Sequence, residues 1–269
     1  MKIPFVKMNG AGNDFVMIDN RDLSRNLSHA QIARLCDRHR GVGADGLLAV
    51  EPSQQGGDYR FRYYNSDGGE AEMCGNGARC FARFAQKISG GADKLSFETI
   101  AGMIHAVFDG DLVRLNLSNP QGLELNKTIA LSDGQFAIHN CNTGVPHAVL
   151  IVDDADKAYV GRHGAEIRYH ADYAPKGTNV NFVQKLGGDT IRVRTYERGV
   201  EGETLACGTG VTAAAIVASR VLGVSAPVKV RVQGGDTLEV DFKVQADGGV
   251  TDVFLKGPAD FVFSGEIEI

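Results

Sequence analysis

The chain has no apolar run near the ~18 residues that a membrane-crossing helix requires. It also has no basic tract, no low-complexity segment and no cysteine pair at a standard zinc-ligand spacing. Each absence excludes something. No segment is expected to span a membrane. With a net charge of −5 and no stripe of Arg and Lys, nucleic acid is not an expected partner. The stretch Met1-Lys2-Ile3-Pro4-Phe5-Val6-Lys7-Met8-Asn9 lacks the apolar core of a signal peptide. The cysteines, Cys36, Cys74, Cys80, Cys141 and Cys207, are odd in number, so reduced thiols in the cytoplasm are expected. A structural zinc site takes four ligands, and Cys74 and Cys80 on one helix would point to different faces, so no metal is expected.

Glycine, by contrast, is abundant. The chain holds 34 glycines in 269 residues, well above the usual ~7%. That favours tight turns and short strands over a helical bundle. The length suffices for two domains, each with its own core.

The glycines fall in a pattern that repeats. Gly69-Glu70-Ala71-Glu72-Met73-Cys74-Gly75-Asn76-Gly77 returns as Gly202-Glu203-Thr204-Leu205-Ala206-Cys207-Gly208-Thr209-Gly210, an offset of 133 residues. Gly90 and Gly102 recur at the same offset as Gly223 and Gly235. The chain therefore reads as a duplicated fold with one cysteine per copy.

Alternation marks strands at 5–8, 15–19, 47–50, 59–64, 112–117 and 190–196, with a hairpin at 95–108 turning at Ala101-Gly102. Ser28 is a candidate N-cap for a helix over 29–38. Helices are expected after each repeated cysteine, the first closed by Gly90-Gly91. The second, with Val211, Ala213, Ala214, Ala215, Ile216, Val217, Ala218, Val221 and Leu222, is apolar almost all round. Such a helix is buried on every side, and in a strand-rich domain that implies a sheet curled around it. Asn181-Phe182-Val183 reads as the echo of Asn13-Asp14-Phe15-Val16. The turn formers Ser118-Asn119-Pro120-Gln121-Gly122 mark a boundary between residues 1–117 and 118–258, and 259–269 is a candidate for return to the first domain.

Cys74 and Cys207 each stand before G-x-G and a helix, among backbone N–H groups with no intrahelical partner. Those groups suit a carboxylate. The same partial positive charge favours thiolate and lowers a cysteine pKa from ~8.5 by about one unit. Two acid/base groups facing one carbon from opposite sides are what inversion of a stereocentre needs. Cys36, Cys80 and Cys141 read as buried small apolar residues. Gly41-Val42-Gly43-Ala44-Asp45-Gly46 fits G-x-G-x-x-G, but a helix precedes it and a strand follows, the reverse of a dinucleotide site.

At these residues the chain resembles the diaminopimelate epimerases, cofactor-independent enzymes of the lysine and peptidoglycan-precursor pathway. The matching segments span the length: Gly12-Asn13-Asp14-Phe15, Asp37-Arg38-His39, Gly41 to Asp45, Asn65-Ser66-Asp67-Gly68, Cys74 to Cys80, Gly144-Val145-Pro146-His147, Gly177 to Phe182, Glu197-Arg198-Gly199 and Ala206 to Gly210. The resemblance implies an α/β (α+β) fold of two pseudo-symmetric domains, each a curled, mostly antiparallel sheet around a central helix, with the active site in the interdomain cleft. It implies interconversion of LL- and meso-diaminopimelate without pyridoxal phosphate or metal, and a homodimer. Cys74 and Cys207 would exchange the α-proton. Gly75, Asn76, Gly208 and Thr209 would cradle the reacting carboxylate. Arg198 with Asn65 and Asn181 would hold the far end of the substrate, Asn13 lies in a matching motif and is a further substrate-binding candidate, Glu197 would pair with an ammonium, and His147 would orient substrate or a thiol. Two positions depart from the pattern of some members: Gly46 stands where glutamine is often found, and Val145 where asparagine is common. The loop from Glu197 to Cys207 is also one residue longer than in some relatives. The other readings are a racemase for a different amino acid, such as proline or hydroxyproline, and a ligand-binding module on the same scaffold.

Overall fold

Strands wound around one buried helix form each half of the chain. The structure, a computed structural model, describes all 269 residues. One compact unit comprises Met1–Asn116 with Lys256–Ile269, the other Leu117–Leu255.

The first unit begins with β1 (Lys2–Gly10), β2 (Asn13–Asp19), α1 (His29–Cys36), β3 (Gly46–Pro52) and β4 (Tyr59–Asn65). Then come α2 (Gly75–Ile88), β5 (Lys94–Thr99), β6 (Gly102–Asp109) and β7 (Leu112–Asn116). Pairing alternates: β1–β2 antiparallel, β2–β3 parallel, β3–β4 antiparallel, β4–β5 parallel, then β5–β6 and β6–β7 antiparallel. The sheet curls so that α2 packs against all seven strands. Alanines at 78, 82 and 85 let it sit close, while Phe81 meets Phe61 and Phe97 at ring-centroid distances of 5.1 and 4.8 Å. Such aromatic pairs add about 0.5–1.5 kcal/mol each beyond the area they bury. Gly90 and Gly91 follow α2 at φ 89° and 94°, a conformation that ends a helix and that glycine adopts without strain.

The second unit holds β8 (Gln121–Leu131), β9 (Gly134–Asn142), β10 (Pro146–Ile151), α3 (Val160–Arg168), β11 (Asn179–Gly187), β12 (Thr190–Glu197) and β13 (Gly202–Thr204). It continues with α4 (Gly208–Leu222), β14 (Val228–Arg231) and β15 (Thr237–Val244), and the chain leaves it within β16 (Val250–Pro258). The last strand, β17 (Asp260–Glu268), belongs to the first unit and runs antiparallel to β1. A register shift between Lys7 and Met8 breaks the alternation there, and both side chains are buried. No helix is long and apolar enough to cross a membrane.

The pairing pattern of the first unit recurs. β9–β10 is antiparallel, β10–β11 parallel, β11–β12 antiparallel, β12–β14 parallel and β14–β15 antiparallel, around α4. This corrects one sequence expectation. Asn181 lies on β11, which pairs as β3 does; the counterpart of β2 and its Asn13 is β10. Short apolar strands look alike, so Asn-Phe-Val matched the wrong one.

Two helix limits also differ from expectation. α1 stops at Cys36 rather than Arg38, because the Asp37 carboxylate accepts the N–H groups of His39 and Arg40 at 2.8 Å and turns the backbone out of the helix. α4 is buried through Ala218, but its last turn emerges and Val221 is exposed.

Candidate active site

In the first unit Cys74 is the N-cap of α2. Its backbone is extended (φ −139°, ψ 121°), and Sγ accepts the Gly77 N–H at 3.5 Å. Oxygen-bearing side chains normally fill this position. A Cβ at Gly77 would come within 3.3 Å of Phe15 and Leu48, and one at Gly10 within 2.8 Å of the Asn76 carbonyl oxygen. The glycines thus let the helix start close against β1 and β2. Arg79, fully buried one turn in, donates to Asn76 Oδ1 (3.0 Å), the Gly75 carbonyl (3.4 Å) and the Pro258 carbonyl (3.2 Å). The Asn76 side chain is therefore committed inward, which leaves its backbone to serve a ligand.

Asn13 is joined to Cys74. The Cys74 thiol donates to Asn13 Oδ1 at 3.4 Å, and Asn13 Nδ2 donates to Asp45 Oδ2 at 2.6 Å. Asp45 takes Arg38 at 2.9 Å, Arg38 reaches Asp14 at 3.2 Å, and Lys7 reaches Asp14 at 2.7 Å and also donates to the Gly43 carbonyl. Burial alone would raise the Asp14 pKa, but hydrogen bonds from Lys7 and Arg38 hold it below the usual carboxylate range. Asn65, at the exposed end of β4, uses its backbone to close the turn with Gly68 and Gly69 (2.9 Å each), and no hydrogen bond joins its amide to the others.

In the second unit Cys207 is the N-cap of α4, buried, with Sγ 3.5 Å from Thr209 Oγ1. Thr143 holds the helix start by donating to the Thr209 carbonyl at 2.9 Å. Asn181 is fully buried against it. Its Oδ1 accepts from Thr195 (3.0 Å) and its Nδ2 donates to the Ala148 carbonyl (3.3 Å) and to His147 Nδ1 (3.2 Å). A Cβ at Gly210 would stand 2.4 Å from Asn181 Oδ1, so only glycine fits the first turn there. His147 is buried, and desolvation together with the charge of Arg198 pushes its pKa down to about 3. It is a neutral imidazole with the proton on Nε2, an atom that has no hydrogen-bond partner. Arg198 is half-buried. Its N–H donates to Asn179 Oδ1 at 2.8 Å, and Asn179 donates to the Pro146 carbonyl at 3.3 Å. Glu197, also half-buried, ends β12 beside it.

The structure thus ties Cys74 to Asn13, and His147 to Asn181 at the foot of Cys207. It adds residues that the sequence reading did not single out: Asp45 and Arg38 behind Asn13, Arg79 beneath Asn76, and Asn179 behind Arg198. Parity could have found Asn179, which shares a strand face with Asn181.

The profile of the family described as Diaminopimelate epimerase matches residues 5–119 and 139–262. The chain belongs to the diaminopimelate epimerase family. The diaminopimelate epimerase of Aquifex aeolicus is 45% identical over 275 residues, covering 98% of this chain and 97% of that one. That of Flavobacterium psychrophilum is 42% identical, covering 97% and 98%. Among solved structures, a phenazine biosynthesis protein of the PhzF family from Bacillus anthracis superposes with TM-score 0.74 at 16% identity, with full coverage of both chains. A hydroxyproline epimerase from Agrobacterium vitis gives TM-score 0.70 at 16% identity, covering 99% of this chain and 91% of that one. At such identities these two share the fold, with its two pseudo-symmetric domains, and family membership makes this chain an epimerase rather than a binding module. Against the diaminopimelate epimerase pattern, Gly46 has a local cause: a Cβ there would lie 2.6 Å from the Tyr64 carbonyl oxygen and 2.8 Å from the Tyr63 ring, so a glutamine has no room. Cys36, Cys80 and Cys141 are buried, and desolvation pushes each thiol up to about 12.

Proposed function

We propose that the chain interconverts LL- and meso-diaminopimelate by moving the α-proton between two cysteines, with no pyridoxal phosphate and no metal. The observation that carries this reading is that each unit's central helix begins at a cysteine whose sulfur lies among first-turn groups. One thiolate removes the α-proton and the other thiol supplies a proton to the opposite face. Backbone N–H groups at Gly75, Asn76, Gly208 and Thr209 stabilise the carboxylate as charge builds on it. Arg198 grips the distal carboxylate in bidentate fashion, assisted by Asn65, and Glu197 pairs with an ammonium, while Asn181 braces the start of the Cys207 helix and Asn13 orients Cys74. His147, neutral and buried, orients its neighbours rather than carrying protons. The protein works as a homodimer in the cytoplasm, where its thiols stay reduced.

The test is isotope wash-in. Reduced protein in heavy water, without added cofactor, is given LL-diaminopimelate, proline or glutamate. Deuterium is expected at one α-carbon of LL-diaminopimelate alone. Exchange into proline instead would overturn the substrate, and exchange into none would overturn the reaction.

A further inference from the structure

The cysteine environments differ in one respect that bears on which sulfur carries the proton before substrate arrives. A carboxylate only accepts hydrogen bonds. Asp45 Oδ2 lies 2.6 Å from the Asn13 amide, so Asn13 must turn its NH2 toward Asp45 and its oxygen toward Cys74. Three further hydrogen bonds hold Asp45 in this position. Arg38 holds its Oδ1 at 2.9 Å, the Asp14 N–H donates to its Oδ2 at 3.2 Å, and the Asp45 N–H donates to Asp14 Oδ1 at 2.9 Å. Lys7 and Arg38 fix Asp14 in turn. An amide oxygen 3.4 Å from Sγ is satisfied by S–H and repelled by S⁻.

The Gly77 N–H and Cys80, both on α2, do not reverse this. Within α2 the Gly77 N–H donates to Sγ at 3.5 Å; it favours the thiolate, but at this length only weakly, and a thiol can accept it while donating to Asn13. Cys80, close enough for the two thiols to interact, is itself held protonated by burial, with the Arg79 cation beside it. Cys207 is placed differently. The Thr209 hydroxyl 3.5 Å from its sulfur can rotate to donate to a thiolate.

We propose that Asp45 is a positioning residue that acts through Asn13 to hold Cys74 as the thiol in the free protein, leaving Cys207 as the thiolate. The assignment of work to these thiols rests on the two-cysteine reading above; the hydrogen-bond argument does not. In the first half-reaction the α-carbon's proton passes to Cys207 and the Cys74 proton passes to the opposite face of the same carbon. The protein then holds Cys207 as thiol and Cys74 as thiolate, and must return to its resting state.

The test is the pH dependence of iodoacetamide alkylation at each cysteine, read by mass spectrometry, since only the thiolate reacts. In the wild-type protein Cys74 is expected to alkylate with a higher midpoint than Cys207. Asp45→Ala frees Asn13 to turn its NH2 to the sulfur. Cys74 should then react about tenfold faster at pH 7, the worth of one hydrogen bond, with the Cys207 profile unmoved. Asp45→Asn, which can offer Asn13 either a donor or an acceptor, should fall between. An unmoved Cys74 profile in a folded Asp45→Ala protein overturns the proposal. If that variant does not fold, Asp45→Asn and the 13Cβ NMR titration of the wild-type cysteines decide, and titration of Cys74 before Cys207 is the contradicting result. Heavy-water exchange scores the epimerase reading separately, because loss of exchange would leave these profiles as they are.

Discussion

Replacing Asn181 by alanine separates a structural role from direct contact with substrate. The side chain is fully buried and joins three partners: Thr195 Oγ1 at 3.0 Å, His147 Nδ1 at 3.2 Å and the Ala148 carbonyl at 3.3 Å. Its removal leaves the Thr195 hydroxyl and the His147 ring nitrogen buried without their partners. Each such orphan costs about 1–3 kcal/mol, so Asn181→Ala should lose about 2–6 kcal/mol, a large share of the ~5–15 kcal/mol typical of a folded protein. Urea unfolding at pH 7, followed by circular dichroism, reads this directly. Thr195→Val made in the Asn181→Ala background should then cost less than in the wild type, because the two share one bond and their coupling is of order 0.5–3 kcal/mol. A loss below about 1 kcal/mol, combined with a raised KM for substrate, would refute the reasoning. Asn181 would then be a contact made to substrate rather than a brace beneath the Cys207 helix.

Three further outcomes are expected. Because the folded pKa of His147 is about 3 and the unfolded value ~6.5, the unfolded chain binds the extra proton between them. His147 therefore subtracts stability as pH falls below ~6.5, and its imidazole should stay in the neutral Nε2–H form by 15N NMR from pH 8 to 5; titration near pH 6.5 would count against the burial argument. For Asp14 the folded pKa lies below its ordinary 3.8, so its contribution is present above ~4 and is lost as pH falls through the folded pKa. Asp14→Asn should lower the urea midpoint at pH 7 and progressively less below pH 4, and a pH-independent difference would contradict this. Gly210→Ala drives a methyl to 2.4 Å from Asn181 Oδ1. It should destabilise the protein by about 1–3 kcal/mol, measured as a lowered melting temperature, whereas an unchanged melt would show that the Asn181 network can yield.

The parts of the fold legible in the sequence were those with local signals. A cysteine before G-x-G marks a helix start whatever surrounds it, and both helices begin one residue after the repeated cysteine. The hairpin at Gly102 and the stop at Gly90-Gly91 were equally local. The β8–β9 hairpin lacks a strong sequence signal: β8 alternates from Leu123 to Leu131, but Lys127 stands on its inner face and only Ile129 there is fully buried. Helix α3 lacks a side-chain cap and carries Gly161 and Gly164 in its body, which argues against a helix. Gly164 is explained only by its neighbour: a Cβ there would stand 2.5 Å from the Tyr196 side chain. Of the candidate site, the cysteines and first-turn glycines were legible, and strand parity pointed to Asn179, which holds the Arg198 backbone, while Asp45 and Arg79 act on other side chains through contacts that no spacing rule encodes.

The role assigned to the paired sulfurs is tested most directly by assaying Cys74→Ala and Cys207→Ala, each alone, for conversion of LL- to meso-diaminopimelate. Loss of a positioned acid or base costs about 10²–10⁴-fold, and each variant is expected to lose at least that much while still folding. Turnover near the wild-type rate in either variant would contradict the account.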